Sequence, residues 1–262
     1  MNALSIESVG LMAPGLVGWS TSRAVLTGEQ PYVAEPIPAA LATLLPTNER
    51  RRTTAIVKLA LQVAQEAMAQ RNMQVQTVLA SSGGDSEVLD KICVALTEPG
   101  RPVSPTQFHH SVHNTPAGYW AIATGCTLPS LSLSAYDGSF AASLREAATL
   151  AWMDRAPVLL IAYDLPLPFP LSEQRRIVAP FAMALLLNPA VTGPRLARLR
   201  FNRETTGYGY VTSLGNSSLE TLRIGNPAAR SLPLLGAVAR QQTQRVILPV
   251  GDDEFLSVEV EP

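Results

Sequence analysis

The chain has 262 residues, of which 47% are hydrophobic and 16% charged, and its formal net charge is −1. This composition excludes a disordered chain and provides enough apolar surface for one large α/β domain or two small ones. The near-neutral charge gives no general attraction to nucleic acid, so no such partner is expected. Two cysteines, Cys93 and Cys126, are too few for a disulfide framework and are typical of a reducing compartment.

The sequence also carries no pattern for membrane targeting. No basic segment precedes an apolar run at the amino terminus, which predicts that there is no signal peptide. The longest apolar runs, residues 157–163 and 181–187, have the length of strands and are too short to span a bilayer. We therefore expect a cytoplasmic protein without a membrane span.

Strand and helix patterns alternate through the first half of the sequence. Short apolar runs predict strands, and apolar residues at helical spacing predict helices between them. This order predicts a layered α/β fold with a mostly parallel sheet. The predicted elements are a strand at 3–12, helices at 15–29 and 50–70, a strand at 75–81, helices at 83–96 and 115–125, a strand at 131–136, a helix at 138–154 and a strand at 157–164.

Several helix starts carry residues that favour capping. Such side chains accept hydrogen bonds from the free N–H groups of a first helical turn. Arg50, Arg51 and Arg52 stand at the predicted start of the helix at 50–70, where cations oppose the helix dipole. They are interpreted as a solvated helix start, or as a contact for an acidic protein. The predicted caps are Thr47 or Asn48, then Ser86 or Asp85, then Thr115.

A proline-rich joint at residues 164–170 separates the first half from a shorter second half. Apolar runs predict further strands beyond the joint. One or two helices are predicted between Ser217 and Arg240, interrupted by Gly225 and Pro227. The strands are predicted at 181–187, 198–202, 245–250 and 255–260.

The most informative stretch runs from Ser104 to Leu144. The turn AYDGS, residues 135–139, lies where a predicted strand leads into a helix. This geometry exposes one side chain and leaves backbone N–H groups free to hold negative charge. Enzymes use such an elbow to present a nucleophile, and here we predict that Asp137 occupies its tip.

The motif SVHNTPAG followed by PSLSLSAYDGSFAASLREA resembles the β-ketoacyl synthase family. The resemblance implies a thiolase-like layered α/β/α fold with a truncated second half. Residues 1–164 would form the ketosynthase N-terminal-like half. Residues 165–262 would form a shortened C-terminal half within the same globular unit.

The resemblance breaks down at the catalytic groups. Aligned without a gap from Asn114 and Gly118, the family's nucleophilic cysteine falls on Asp137. The family's catalytic histidines and lysine lie in the second half, but no His follows His113 and no Lys follows Lys91. Claisen condensation needs a thiolate to carry the acyl chain and imidazoles to stabilise the enolate. The sequence therefore predicts a protein that is not an enzyme and needs no cofactor or metal.

A ketosynthase-like chain without its nucleophile resembles the chain length factors, and its short length most resembles those of aryl polyene biosynthesis. The resemblance implies a heterodimer with a catalytic ketosynthase, formed by antiparallel pairing of the strand at 130–136, and transient contact with an acyl carrier protein. It also places Gln107 and Phe108 toward the partner's acyl pocket. The predicted interface or tunnel residues are Gln107, Phe108, Asn114, Tyr119, Trp120, Ser132, Ser134 and Tyr136.

Several alternatives remain open at this point. Asp137 could be a simple helix cap, or Asp137 or Ser139 could serve an acyltransferase or hydrolase. The chain could also be a homodimeric scaffold that docks carrier proteins. Tyr119 and Trp120 could be core residues. His109 and His113 could share a helix face near a metal, although no third ligand is evident.

Overall fold

The computed structural model describes residues 3–69, 71, 73–190, 193–202 and 210–262. Strands and helices are numbered in chain order. The strands are β1 (Ala3–Ala13), β2 (Leu16–Val17), β3 (Gln76–Ala80), β4 (Ser130–Leu133), β5 (Val158–Asp164), β6 (Phe181–Asn188), β7 (Ala197–Asn202), β8 (Gln244–Pro249) and β9 (Phe255–Glu261). The helices are α1 (Trp19–Thr27), α2 (Thr47–Arg52), α3 (Ala55–Met68), α4 (Ser86–Thr97), α5 (Pro105–His110), α6 (Thr115–Thr124), α7 (Ser139–Asp154), α8 (Leu171–Gln174), α9 (Ser217–Gly225) and α10 (Leu232–Arg240).

One mixed sheet organises the described chain, in the order β4-β3-β5-β6-β1-β7-β9-β8, with β2 paired to β1 as a hairpin. The prediction of a mostly parallel sheet is wrong. Among these pairings only those of β3 with β4 and with β5 are parallel, and β6 runs antiparallel to both β5 and β1. Two consecutive strands can pair in parallel only if the connection between them crosses over the sheet, usually through a helix. The segment between β5 and β6 contains only the four-residue α8, so the chain returns at the same end of the sheet.

Helices cover both faces of the sheet and create two apolar clusters. The buried strand β5 contributes alternate side chains to each: Leu160 packs with α7 and α10, and Ile161 packs with α3 and α6. This alternation follows from the two-residue period of a strand. The predicted layered α/β/α arrangement is confirmed. No helix within the described ranges is both long enough and apolar enough to cross a membrane.

The predicted helix at 50–70 is two helices. Thr53 adopts an extended conformation after α2 and its N–H reaches the Glu49 carbonyl, so the chain turns before α3 begins. Thr47 lies inside α2, and neither helix has a side-chain cap. The three arginines at 50–52 therefore lie in the last turn of α2, where cations interact favourably with the helix dipole.

Other boundaries differ in smaller ways. Asp85 is confirmed as the cap of α4, because its carboxylate accepts a hydrogen bond from the Val88 N–H. Thr115 begins α6 instead of preceding it, and the capping position belongs to Asn114, whose side chain makes no capping bond. The four strands predicted in the second half are confirmed to within one residue at each end. The division of the chain at Asp164 stays a prediction.

Candidate functional site: the elbow and the edge strand

A strand-to-helix elbow connects β4 to α7. The strand ends at Leu133, three residues earlier than predicted, and Tyr136–Gly138 form one turn of 3-10 helix before α7. The Ser139 hydroxyl accepts from the Ala135 N–H at 3.0 Å and donates to the Tyr136 carbonyl at 2.7 Å. These two bonds fix the backbone of the turn.

The strained residue of the elbow is Tyr136, one position before Asp137. Its φ is +51°, in the left-handed region that a bulky residue rarely adopts. Its side chain is 63% exposed. In nucleophile elbows the strained, exposed residue presents the reacting group. By this criterion Tyr136 stands closer to the presenting position than Asp137, and neither residue offers a thiol.

Asp137 is held by two arginines and caps no helix, so the helix-cap interpretation is wrong. Its Oδ1 accepts from Arg175 Nη2 at 2.9 Å, and its Oδ2 accepts from Arg230 Nη2 at 3.0 Å. The carboxylate is half-exposed, whereas both guanidinium groups are largely covered. Sequence reasoning missed both arginines, because Arg175 follows α8 and Arg230 lies in the 3-10 turn Ala228–Ser231, both far from Asp137 in the chain.

Arg175 also contacts the aromatic ring of the elbow. Its guanidinium carbon lies 3.6 Å from the centroid of the Tyr136 ring, within the range of a cation–π contact. Next to this pair is a recess of about 230 Å³, whose lining includes Arg176, Ile177 and Ile224. The elbow thus presents an aromatic ring beside a shallow, mainly polar recess.

Ser139 lacks the surroundings of a nucleophile. The residue is buried, and its hydroxyl is used for the two backbone bonds of the turn. A serine nucleophile needs a neighbouring base, but the last histidine of the sequence is His113, which contacts the Ser81 carbonyl through Nε2 at 3.0 Å. These contacts disfavour hydrolase chemistry at Ser139.

The strand before the elbow forms one edge of the sheet. Among the described strands, β4 is hydrogen-bonded only to β3, so its other side is an open edge of the sheet. Among the described residues, nineteen large apolar side chains are exposed, and nine of them lie between residues 89 and 136. Edge strands and exposed apolar surfaces of this kind are typical of protein interfaces. The nine are Leu89, Val94, Leu96, Phe108, Val112, Ile122, Leu128, Leu131 and Tyr136.

The predicted interface residues divide into exposed and buried groups. Phe108 is exposed on α5 beside the half-buried Gln107, and Asn114 is exposed before α6. Ser134 is exposed and its hydroxyl bonds to the Ser82 carbonyl, whereas the Ser132 hydroxyl is covered and has no hydrogen-bond partner among the described residues.

Tyr119 and Trp120 lie in the core. They are only 5% and 4% exposed and belong to the apolar cluster that α3 and α6 form with the sheet. Trp120 also lines a cleft of about 490 Å³ at the end of α6. Both residues therefore pack in the core, which was the alternative to the prediction that they line the tunnel.

The histidine cluster does not share a helix face. α5 ends at His110, and His113 lies in the following loop. His110 is buried and stacks on Tyr119 with ring centroids 5.6 Å apart, and burial lowers its pKa. The described ranges hold no group of three or more His, Cys, Asp or Glu residues arranged to bind a metal.

A buried carboxylate lies at the end of β5. Asp164 Oδ1 accepts from the Ser82 N–H and from the hydroxyls of Ser81 and Ser82, whereas its buried Oδ2 has no hydrogen-bond partner in the described part of the chain. Burial raises the pKa of Asp164 from 3.8 to about 6, against the opposing effect of these hydrogen bonds. The group is therefore protonated in the folded chain at pH values where the unfolded chain is already ionised.

This shift predicts a pH dependence of stability. Between pH 3.8 and about 6 the folded state binds more protons at Asp164 than the unfolded state, so stability falls as pH rises through this window. The loss from this group is about 3 kcal/mol, at roughly 1.4 kcal/mol per pKa unit. Urea unfolding of the wild type and of Asp164→Asn at pH 4 and pH 7 measures it. We expect the difference between the two pH values to shrink in the variant; equal differences would contradict the buried titration.

Comparison with known proteins identifies the family. Residues 19–222 match the family described as "Beta-ketoacyl synthase, N-terminal domain". The match spans most of the chain, so the protein belongs to this family and has its thiolase-like fold. No curated protein matches the sequence.

Solved structures of similar fold include chains of nearly equal length. One, from the complex of the ketosynthase ApeO with its chain length factor ApeC from Xenorhabdus doucetiae, has a TM-score of 0.73 and 24% identity, with 98% of this chain and 99% of that chain covered. One from the ishigamide ketosynthase/chain length factor has a TM-score of 0.71 and 14% identity, with 98% of each covered. A ketosynthase from module 6 of the Bacillus subtilis bacillaene synthase has a TM-score of 0.54 and 12% identity, with 85% of this chain but only 45% of that chain covered.

Proposed function

We propose that this protein is a non-catalytic chain length factor that pairs with a catalytic β-ketoacyl synthase in polyketide-type biosynthesis, of the aryl polyene kind. It binds the synthase through the open edge of β4 and the apolar residues around it. It acts in the cytoplasm and meets an acyl carrier protein only transiently. Its contribution to the reaction is to shape the partner's acyl tunnel.

One observation carries this proposal: the family's elbow is built, but it holds no thiol. Tyr136 and Asp137 occupy its tip, and no His or Cys follows in the sequence to supply the missing chemistry. A carboxylate that is bound by two guanidinium groups is a weak nucleophile, because both of its oxygens accept charge-assisted hydrogen bonds. The elbow therefore offers a protein-binding surface beside the edge strand β4 and no catalytic group.

The proposal also has support from chain length. The similar chains from ketosynthase/chain length factor complexes are aligned almost end to end, whereas the bacillaene ketosynthase is more than twice as long as its aligned part. A chain of this size carries the family's first half and a reduced second half. That size is consistent with a subunit that completes another one.

The test is co-expression with the full-length ketosynthase of the same locus. We expect a stable heterodimer that elongates a malonyl-primed acyl chain, whereas this chain alone is inactive. Replacing the ketosynthase nucleophile by alanine should abolish turnover, whereas Asp137→Asn should alter only assembly. Loss of turnover by Asp137→Asn in an intact complex would instead favour an acyltransferase or hydrolase. A self-associated species that ignores the synthase would favour a homodimeric scaffold.

Gln107→Trp is expected to shorten the polyene that the complex makes. Gln107 lies half-buried on α5, beside the exposed Phe108, and a larger side chain there would fill space at the proposed tunnel floor. Product length is measured by mass spectrometry of the extracted polyene. Thr106→Trp, at the exposed neighbouring position on the same helix, is the matched control. An unchanged product distribution in an intact complex would remove Gln107 from the tunnel.

A further inference from the structure

Tyr136 is an exposed aromatic residue in a strained backbone conformation. Its φ of +51° costs roughly 1–2 kcal/mol for a residue with a side chain. Burial of the ring within the chain does not offset this cost, since the side chain is 63% exposed. Such strain persists when the surroundings over-determine the conformation, and it is concentrated at functional sites.

The ring is held by a chain of charged groups. Arg230 donates to Asp137, Asp137 accepts from Arg175, and the Arg175 guanidinium lies 3.6 Å from the ring centroid. Both arginine side chains are less than one-fifth exposed, so they are fixed by the protein around them. Arg175 therefore covers part of the ring and restrains it, while most of the side chain still faces outward.

The backbone under the ring is fixed as well. A Cβ added at Gly138 would lie 1.9 Å from the Val250 carbonyl oxygen, so the elbow packs directly on the chain that follows β8. The Ser139 hydroxyl also holds the turn, through its hydrogen bonds to the Ala135 N–H and the Tyr136 carbonyl. An aromatic side chain held in one orientation loses little conformational entropy on binding. Aromatic and arginine side chains of this kind supply most of the affinity at protein interfaces.

We infer that Tyr136 is the preorganised aromatic anchor of the interface with the ketosynthase, and that Asp137 is a positioning residue that acts through Arg175. This inference rests on the proposed function, which supplies the occupant. Its location supports the choice, because Tyr136 lies three residues after the end of the edge strand β4 and is exposed, as are the nearby Leu128 and Leu131 in the sequence.

The test is the dissociation constant of the complex with the ketosynthase of the same locus, by calorimetry on purified chains. Tyr136→Ala is expected to weaken binding about 30-fold or more, the size of an interface hot spot of 2 kcal/mol. Tyr136→Phe keeps the ring and should restore binding to within about 3-fold of the wild type. The matched control is Tyr210→Ala: Tyr210 is fully exposed near Thr212, which bonds to β8 at the opposite edge of the sheet.

A double-mutant cycle separates positioning from direct contact. Asp137→Asn should weaken binding by about 3- to 10-fold in the wild-type background and should have no further effect in the Tyr136→Ala background. Equal losses in both backgrounds would overturn the positioning role. Unchanged affinity of Tyr136→Ala, in a wild-type protein that does bind, would overturn the anchor while leaving the proposed function intact. Failure of the wild-type chain to bind the ketosynthase would overturn both.

Discussion

Leu131→Asp is expected to abolish the complex with the ketosynthase. Leu131 lies in the edge strand β4 and is 39% exposed, so the variant places a charge on the surface that the proposed partner would cover. A charge buried in an interface without a partner costs about 3–5 kcal/mol, which is enough to move a nanomolar complex into the micromolar range. Size-exclusion chromatography with light scattering measures the loss.

The matched control is Leu41→Asp. Leu41 is an exposed leucine of the segment before α2, where its N–H donates to Gln62 of α3, away from the edge strand. We expect this variant to bind like the wild type. The melting temperature of Leu131→Asp must stay within a few degrees of the wild type, so that a loss of binding can be attributed to the changed surface and not to unfolding. A folded Leu131→Asp chain that still forms the heterodimer would place the interface elsewhere.

Gly10→Ala is expected to cause the largest loss of stability. Gly10 lies in β1, and a Cβ there would be 2.0 Å from the Val63 carbonyl oxygen and 2.8 Å from its carbonyl carbon. Both contacts are with the backbone of α3, so no side-chain movement relieves them. β1 is also fixed by pairing to β6 and by the Glu66 carboxylate, which accepts from the Leu11 N–H at 2.9 Å.

The expected cost of Gly10→Ala is about 3 kcal/mol or more, at the upper end of overpacking. Urea unfolding followed by circular dichroism measures it. Gly118→Ala is the control, because Gly118 lies within α6 and an added Cβ would meet no described atom within 4 Å beyond the backbone of its own helix. There alanine should be neutral or stabilise the chain by up to about 1 kcal/mol. Equal stability of the two variants would show that α3 and β1 can separate without cost.

Local patterns were sufficient for most of the framework. The strand from Phe181 and the helix from Ser139 stand out because apolar period and turn residues agree over their whole length. The absence of a later histidine or cysteine was also readable directly, since it concerns residue identity alone. The break between α2 and α3 could not be predicted from the sequence, because Thr53 and Thr54 do not interrupt the apolar pattern.

The elbow shows where local reasoning failed. Asp137 next to a helix start is typical of a cap, and nothing in the neighbouring sequence points to a different partner. The carboxylate pairs with Arg175 and Arg230 because β6 returns beside β5, and this return brings the end of α8 and the later 3-10 turn to the elbow. Such pairing depends on chain topology and not on spacing.

The sequence by itself determined the layered α/β class, the family and the absence of any histidine after His113, because each follows from residue identity or from a short repeating pattern. The mixed direction of the sheet, the unpaired edge at β4 and the arginines that hold Asp137 and Tyr136 were decided only by the tertiary structure. Those features arise from contacts between residues 38 and 93 positions apart, and from the absence of a crossover helix. Long-range contacts of this kind are set by how the whole chain packs, so no local stretch encodes them.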